Sequence, residues 1–217
     1  MIIENLINND FKAFGSNRSL KDFRTLAHDF KLSHVPIVEK GYFKGVLNEE
    51  YLEEFETQNP NELFSRLEKF SLTPSQTIFQ AINLFRLYDA NFIAVVSEDE
   101  KYLGYITVED VLTELSKSPA ISEPGALLIV ETYLKDYSMS EVSKIVESNN
   151  TRIYGLNIYR FTEDRVQILL NISDANVDSV IETFERFNYT LVFKSSSTEK
   201  DNFLQDRYNQ LMNYLDL

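Results

Sequence analysis

A threonine and an aspartate three residues apart, Thr107 and Asp110, form the pattern with the clearest chemical content in this chain. Thr107 follows an apolar run and precedes an amphipathic segment, which predicts a helix that begins here. Its hydroxyl can accept hydrogen bonds from free helix N–H groups, and the Asp110 carboxylate lies where the helix dipole is positive. Two interpretations follow. The pair is either a helix cap that needs no ligand, or a site that holds ribose hydroxyls and a phosphate oxygen.

The elements that position this pair occur twice in the first half of the chain. Ser19 and Thr77, about 58 residues apart, each begin a predicted helix, followed by a buried strand, a turn and a second strand. A short strand from Leu67 to Leu72 is expected to open the second copy. An internal repeat of this length predicts two supersecondary units that pack sheet to sheet as one module. The apolar stripes of the two helices are predicted to be Leu20, Phe23, Leu26, Ala27 and Phe30, and Ile78, Ile82, Phe85 and Tyr88.

A hydrophobic strand, a polar turn, Gly-hydrophobic-hydrophobic-Thr-x-x-Asp and a helix together resemble the second half of a CBS domain. CBS domains occur as tandem pairs, and the resemblance covers residues 1–118, with copy one at about 1–56 and copy two at about 62–118. In that family the threonine and aspartate commonly contact the ribose and phosphate of an adenosine nucleotide. The resemblance therefore implies a nucleotide site formed by Thr107, Asp110, Gly104, Tyr105, Ser71, Leu72, Thr73, Phe92, Ile93 and Ala94.

The two copies differ at the positions on which this site depends. Asn48 stands in copy one where Thr107 stands in copy two, and Tyr51 stands where Asp110 stands. Copy one keeps Pro36 at its strand start, whereas copy two has Ala94. We therefore expect about one nucleotide site per chain.

Positive charge is scarce around the predicted site. The cations near it in sequence are Lys69, Arg86 and Lys101, and the helix N-terminus after Thr107 adds free N–H groups. This favours AMP, another adenosine monophosphate or a cyclic dinucleotide over ATP. No other cofactor is expected.

The second half of the chain predicts a separate domain. A turn-rich linker at residues 119–125 precedes the order β-α-β-β-α-β over residues 126–194, which is the ferredoxin-like arrangement. It resembles an ACT domain, a family that often binds amino acids at a dimer interface. The glycine usual after the first ACT strand is missing, since the chain reads Lys135-Asp136-Tyr137-Ser138-Met139. Asp136 remains a candidate for an amino group, but sheet pairing into a homodimer is the favoured interpretation.

The tail, residues 195–217, begins polar and then predicts an amphipathic helix that docks on this chain or on a second subunit. Its apolar positions recur at helical spacing: Leu204, Tyr208, Leu211 and Leu215.

Composition excludes several classes of function. The net charge of −13 opposes nucleic-acid and anionic membrane binding, because phosphate contacts depend on Lys and Arg. There is no cysteine, and the two histidines, His28 and His34, do not make a persuasive metal site. No apolar run approaches the ~20 residues that span a bilayer. We therefore expect a cytoplasmic protein that is not an enzyme, with no catalytic residues and no metal.

The sequence as a whole predicts an α+β protein: a tandem CBS-domain pair of the Bateman type, followed by an ACT-like domain. Its layout resembles the AcuB type of CBS protein. The predicted function is a homodimeric regulatory sensor that binds an adenosine nucleotide and modulates an unidentified partner protein or its own oligomeric state. The alternative is a ligand-free dimerisation or interaction protein on the same scaffold.

Overall fold

The computed structural model describes residues 1–10, 15, 19–54 and 65–195, with the side chains of residues 20 and 52–54 excepted. The chain divides into two compact units, unit one (residues 1–115) and unit two (residues 116–217). Both combine helices with antiparallel strands, so the predicted α+β class is confirmed. The tail beyond Ser195 lies outside the described residues.

Copy one of the repeat begins with the helix that Ser19 was expected to cap. The Ser19 hydroxyl accepts from Asp22 N at 3.3 Å, and the Asp22 carboxylate accepts from Ser19 N at 3.1 Å. This capping box is confirmed because the side chains satisfy N–H groups that have no partner within the helix. The elements of copy one are α1 (Leu20–Phe30), β1 (His34–Glu39), β2 (Tyr42–Asn48) and α2 (Glu49–Glu54).

Copy two has the same order, as the repeat predicted. Thr77 and Gln80 form its first capping box, with Gln80 Oε1 accepting from Thr77 N at 2.8 Å. The elements of copy two are α3 (Ile78–Leu87), β3 (Phe92–Val96), β4 (Tyr102–Thr107) and α4 (Val108–Ser116). In each copy the two strands form an antiparallel two-stranded sheet.

The two copies exchange their leading segments, the stretches that precede α1 and α3. Asn8, ahead of α1, makes two backbone hydrogen bonds with Tyr105 in β4, at 2.8 and 3.0 Å. Glu68, ahead of α3, makes two with Val46 in β2, both at 2.9 Å. The expected strand from Leu67 to Leu72 is therefore wrong as a continuous element, because Glu68 pairs with copy one while Leu72 pairs with Val95 in copy two.

The strand turns of the two copies also pair with each other. Phe43 N donates to Glu100 O, and Tyr102 N donates to Gly41 O, both at 2.9 Å. Phe43 and Tyr102 are equivalent in the repeat, as are Gly41 and Glu100, so each hydrogen bond is repeated with the copies interchanged. A local twofold axis produces this pattern. One hydrophobic cluster fills the space between the copies and includes residues of both.

Two members of the predicted helix stripes do not face this core. Phe30 at the end of α1 is 46% exposed and Ile82 in α3 is 38% exposed. On α3 the buried side chains are Ile78, Ala81 and Phe85. The predicted stripe assigned Ile82 instead of Ala81, because an isoleucine is the more apolar residue although alanine fits the close helix–sheet contact.

Unit two has the predicted β-α-β-β-α-β order and a four-stranded antiparallel sheet in which β5 and β7 are central. Along the sheet the strands lie in the order β6-β7-β5-β8. Its elements are β5 (Ala126–Tyr133), α6 (Met139–Ser148), β6 (Ile153–Phe161), β7 (Arg165–Ile172), α7 (Val177–Arg186) and β8 (Thr190–Ser195). Alternate residues of β5 and β7 are fully buried in a cluster with α6 and α7.

The segment predicted as a turn-rich linker contains one helical turn, α5 (Pro119–Ser122). Pro119 occupies a first-turn position, where the missing N–H removes no helix hydrogen bond. Ala120 lies against Gly155 of β6, and Ala120 O accepts from Asn171 Nδ2 at 2.9 Å. The turn therefore packs on the sheet face opposite α6 and α7.

Candidate functional site

The start of α4 has the geometry expected from the Thr107–Asp110 pattern. Asp110 N donates to Thr107 Oγ1 at 3.2 Å, and Thr107 N donates to Asp110 Oδ2 at 2.8 Å. Thr107 Oγ1 also donates to the same carboxylate oxygen at 2.6 Å. These hydrogen bonds are those of a helix cap. Whether the pair can also bind a ligand depends on which other groups contact the carboxylate.

Asn8 supplies a further donor that sequence reasoning did not identify. Its Nδ2 donates to Asp110 Oδ2 at 2.8 Å, across a separation of 102 residues. Three donors thus converge on one carboxylate oxygen. Among the described residues, none donates a recorded hydrogen bond to Asp110 Oδ1, and the side chain is half-buried. The carboxylate is held in one orientation, and within the described ranges its second oxygen accepts no hydrogen bond.

Gly104 permits the approach that brings Asn8 to this point. A Cβ on Gly104 would lie 2.6 Å from Asn9 Oδ1 and 2.6 Å from Ile7 Cγ2, and its φ is +151°. Only glycine tolerates both the contact and the backbone conformation. Gly104 and Tyr105 are therefore buried beneath the leading segment and do not line an open surface.

The electrostatic environment around Asp110 is negative. Burial raises the pKa of the Tyr105 hydroxyl, and the charges of Asp10 and Asp110 raise it further. A phosphate placed beside these carboxylates would meet repulsion, whereas a neutral hydroxyl would find an acceptor.

A groove of about 370 Å³ adjoins the start of α4. Thr107, Val108 and Glu109 line it together with Lys31 and Asn91. Lys31 follows the last turn of α1 with φ +51°, and its carbonyl accepts from Asn91 Nδ2 at 2.7 Å. Lys31 is the single cation among the groove's lining residues, and neither it nor Asn91 was identified from the sequence.

Other predicted site residues lie elsewhere. Ser71 and Leu72 line a second groove of about 370 Å³ against α3, with Arg86, and this groove shares no lining residue with the Thr107 groove. Thr73 N donates to Gln76 Oε1 at 2.7 Å, which closes the turn before α3. These residues are therefore not brought together with Thr107 and Asp110.

The three residues expected to pack against a base are in the core. The side chains of Phe92, Ile93 and Ala94 are completely buried, and the ring of Phe92 stacks on Tyr105 with centroids 5.2 Å apart. The strand pattern indicated burial, but it could not distinguish a core strand from a ligand-facing wall.

Copy one has different residues at the equivalent positions. Asn48 Oδ1 accepts from Glu50 N at 2.9 Å, and the Arg66 guanidinium lies over the Tyr51 ring at 5.5 Å. His34, at the position of Phe92, is fully buried. Its Nε2 has no hydrogen-bond partner in the part of the chain that the structure describes, and Glu68 Oε1 lies 3.8 Å away. Burial lowers the pKa of His34 from 6.5 to about 4, and Asp89 opposes part of this effect.

This geometry can be compared with known proteins. Residues 64–117 match the family model of the CBS domain. The second copy therefore resembles a CBS domain. Thr107 and Asp110 lie inside the match, whereas copy one lies outside it. The CBS resemblance predicted from the sequence is therefore confirmed for copy two.

Solved CBS-domain structures are similar to about half of this chain. A CBS domain pair/ACT domain protein from Thermotoga maritima is 19% identical, with 53% of this chain and 96% of that chain covered and a TM-score of 0.47. A CBS domain pair in complex with 5′-methylthioadenosine and S-adenosyl-L-methionine is 15% identical, with coverages of 54% and 96% and a TM-score of 0.45. CBSX2 in complex with AMP is 16% identical, with coverages of 52% and 95% and a TM-score of 0.43. The chain matches no curated protein.

In unit two, the turn after β5 has the bulky residues expected from the sequence. Asp136 N donates to Tyr133 O at 3.0 Å, and Tyr137 packs partly buried against the hydrophobic cluster. The Tyr189 hydroxyl donates to Glu141 Oε2 at 2.9 Å beside the start of α6. The ferredoxin-like order of strands and helices is present, and a backbone hydrogen bond closes this turn.

Within the described ranges, no helix has the length and apolar character required to cross a membrane. Over the same ranges, no three carboxylate or imidazole groups converge as a metal site requires.

Proposed function

We propose that unit one binds an adenosine nucleotide at the start of α4 and acts as a regulatory module. Asp110 carries this proposal. Its Oδ2 accepts three hydrogen bonds, from Thr107 N, Thr107 Oγ1 and Asn8 Nδ2, which orient the carboxylate. Its Oδ1 is left to accept a ribose hydroxyl, which is the role that the CBS resemblance assigns to this aspartate.

Copy one supports a function for Asp110 beyond capping. There Asn48 Oδ1 accepts from Glu50 N, and α2 begins without a carboxylate at position 51. A helix at this place in the repeat can therefore start without the aspartate, so its presence in copy two favours a binding role. The same difference limits the proposal to one such site per chain.

The charge of the site selects the ligand. Asp10 and Asp110 disfavour phosphates at the Tyr105 side, and the lining of the Thr107 groove has one cation, Lys31, and one carboxylate, Glu109. A single phosphate can be placed near Lys31 and the N-terminus of α4, whereas a triphosphate would exceed the available positive charge. The proposed ligand is therefore AMP or another adenosine nucleotide of low negative charge.

The regulatory output is proposed to be a change in self-association or in a partner protein's activity. The outer face of α3 exposes Phe79 (61%) and Leu87 (66%), together with Ile82. These side chains recur at helical spacing on one face. An exposed apolar face of this kind supports a homodimer. The contact between the two subunits would then lie close to the second groove, which α3 also lines.

The decisive experiment is a thermal-shift and calorimetric panel of AMP, ADP, ATP, S-adenosylmethionine and cyclic di-AMP. A ligand that binds only the folded state raises its apparent stability, by about 2.7 kcal/mol at 100 times its Kd. We expect AMP to raise the Tm of the wild type, and Asp110→Ala to weaken its binding at least ~10-fold, about 1.4 kcal/mol.

Asp22→Ala is the matched control, because Asp22 occupies the same position in the capping box of α1. It should lower the basal Tm as a lost cap does, yet leave the ligand-induced shift intact. Equal losses of binding in both variants would contradict a specific role for Asp110. No shift with any nucleotide, for a chain that remains folded, would favour the ligand-free interaction protein instead.

A further inference from the structure

The second groove, between residues 71–76 and α3, differs in charge from the rest of this acidic chain. The chain has a net charge of −13, yet none of the described residues that line this groove is an aspartate or a glutamate. The one cation among those lining residues is Arg86, and within the described ranges no group accepts a hydrogen bond from its guanidinium. The groove therefore has a positive charge that no lining carboxylate neutralises.

Two glutamines of the lining have amides whose orientation is fixed by backbone groups. Gln76 Oε1 accepts from Thr73 N at 2.7 Å, and Gln80 Oε1 accepts from Thr77 N at 2.8 Å. A backbone N–H can donate only to the oxygen of a side-chain amide, so each NH2 group is turned away from the backbone. Among the described residues, none accepts from Nε2 of either glutamine. Both glutamines thus offer hydrogen-bond donors to the groove.

Helix capping does not require this donor at Gln80. Gln80 completes the capping box of α3, a role that a glutamate fills equally well. In copy one the equivalent residue of the capping box is Asp22, and Asp29 stands where Leu87 stands. The first helix of copy one thus has carboxylates at two positions where α3 has an amide and an apolar side chain. The donor character of the second groove belongs to copy two alone.

The rest of the lining is apolar or can also donate. Leu72 is buried, Leu84 is half-buried and Leu87 is 66% exposed, while Ser71 and Asn83 add a hydroxyl and an amide. The groove has a volume of about 370 Å³, which is within the range of small-molecule sites. A ligand that complements this lining combines acceptor oxygens and negative charge with an apolar body.

We propose that the second groove binds a small anion, a carboxylate or a phosphate ester, that has a short hydrocarbon chain. The anionic oxygens accept from Arg86 and from Nε2 of Gln76 and Gln80, and hydrogen bonds to an ionised group are stronger than those between neutral groups. The hydrocarbon chain covers the leucines of the lining and leaves water. This site is separate from the nucleotide site proposed at the start of α4, because the two grooves share no lining residue.

The test uses octanoate and octyl phosphate as probes, with octanamide as their neutral analogue. Each is titrated into the full-length protein by calorimetry, below the concentration at which it aggregates. We expect at least one anion to bind ~10-fold or more tightly than octanamide, and the tighter of the two anions identifies the preferred head group. Equal affinities for both anions and octanamide would overturn the proposal, as would the absence of binding by all three.

Gln80→Glu is the most informative variant, because it retains the capping box but replaces the donor with a negative charge. The Tm of the unliganded protein should stay nearly unchanged, while the affinity for the preferred anion should fall at least ~10-fold. Asn150→Asp is the matched control, since it adds the same charge at an exposed position of unit two. It should bind the anion like the wild type. Equal losses of affinity in the two variants would overturn the site and indicate an effect of net charge.

Asp110→Ala distinguishes this site from the proposed nucleotide site. It should weaken the binding of AMP and leave the binding of the preferred anion unchanged, whereas Gln80→Glu should do the reverse. The titrations with the alkyl anions test the second groove whether or not AMP binds. Loss of AMP binding in Gln80→Glu, or loss of anion binding in Asp110→Ala, would overturn the separation of the two sites.

Discussion

The two copies of the repeat share a backbone but begin their last helices with different chemistry. In copy two, Thr107 and Asp110 hold each other and Asn8, and the carboxylate keeps one oxygen available. In copy one, Asn48 caps the helix and Tyr51 offers an aromatic ring to Arg66. Because both arrangements support the same fold, the fold alone does not require the aspartate.

Buried strands show the same divergence. His34 in β1 is fully buried and its Nε2 has no partner among the described residues, whereas its equivalent in β3, Phe92, stacks on Tyr105. An unpaired polar atom in a core reduces stability, since its hydration is lost without replacement. Copy one thus has a destabilising buried polar atom at a position where copy two has an aromatic contact.

The largest effect is expected where the copies approach each other's leading segments. Gly104→Ala should reduce the free energy of unfolding by about 2 to 4 kcal/mol, because its Cβ would collide with residues 7–9 and its φ of +151° disfavours side chains. Gly45→Ala should cost less, since its nearest atom is Glu68 O at 2.8 Å. Chemical denaturation measures both.

Gly41→Ala is the control for backbone conformation alone, because its φ is +86° but no atom lies within 4 Å of the added Cβ. It should cost about 1 kcal/mol. A loss in Gly104→Ala no greater than in Gly41→Ala would contradict the role of the leading segment.

An effect of up to about 3 kcal/mol is expected from His34 as pH falls. Its pKa is near 6.5 when unfolded and about 4 when folded, so the unfolded state binds more protons between these values. Its contribution to stability is complete above pH 6.5 and is lost as pH falls through 4. His34→Phe, which copies Phe92, should flatten this part of the profile in denaturant titrations at pH 7, 5.5 and 4.

The exposed His28 provides the control, because His28→Gln removes an imidazole that lies outside the core. If His34→Phe kept the same slope between pH 6.5 and 4, the carboxylates and not His34 would account for the acid sensitivity.

The smallest effect concerns a pair that joins the copies at equivalent positions. Ser33 N donates to Asn91 Oδ1 at 2.9 Å, and Asn91 N donates to Ser33 Oγ at 2.9 Å. A double-mutant cycle of Ser33→Ala and Asn91→Ala should give a coupling of about 1 kcal/mol. The distant pair Ser33→Ala and Ser138→Ala should be additive, and additivity in both pairs would show that the copies do not depend on this contact.

Local patterns were sufficient for most elements of the fold. The capping boxes at Ser19 and Thr77 and the β-α-β-β-α-β order of unit two depend on residues within a few positions of each other. The repeat also identified the equivalent positions correctly. The predicted strand from Leu67 to Leu72 failed because its partners come from two different sheets, a choice that no local pattern contains.

The candidate site was predictable only in part for the same reason. Thr107 and Asp110 meet within one helical turn, whereas Asn8 arrives from the start of the chain and Lys31 from copy one. Ser71 and Leu72, which the resemblance placed at the site, line another groove. A strand of apolar residues such as Phe92 to Ala94 indicates burial, and the structure places these side chains in the core. The predicted domain boundaries and the predicted nucleotide contacts stay predictions.

The exchange of leading segments has a consequence for synthesis of the chain on the ribosome. Ile3 is fully buried and Asn8 bonds to Asp110, which is translated 102 residues later. At about 5 to 20 residues per second, the N-terminus waits roughly 5 to 20 s before its partners exist. Copy one is therefore made before its partner strand exists, and the core that the copies share can close only after β4 has left the exit tunnel.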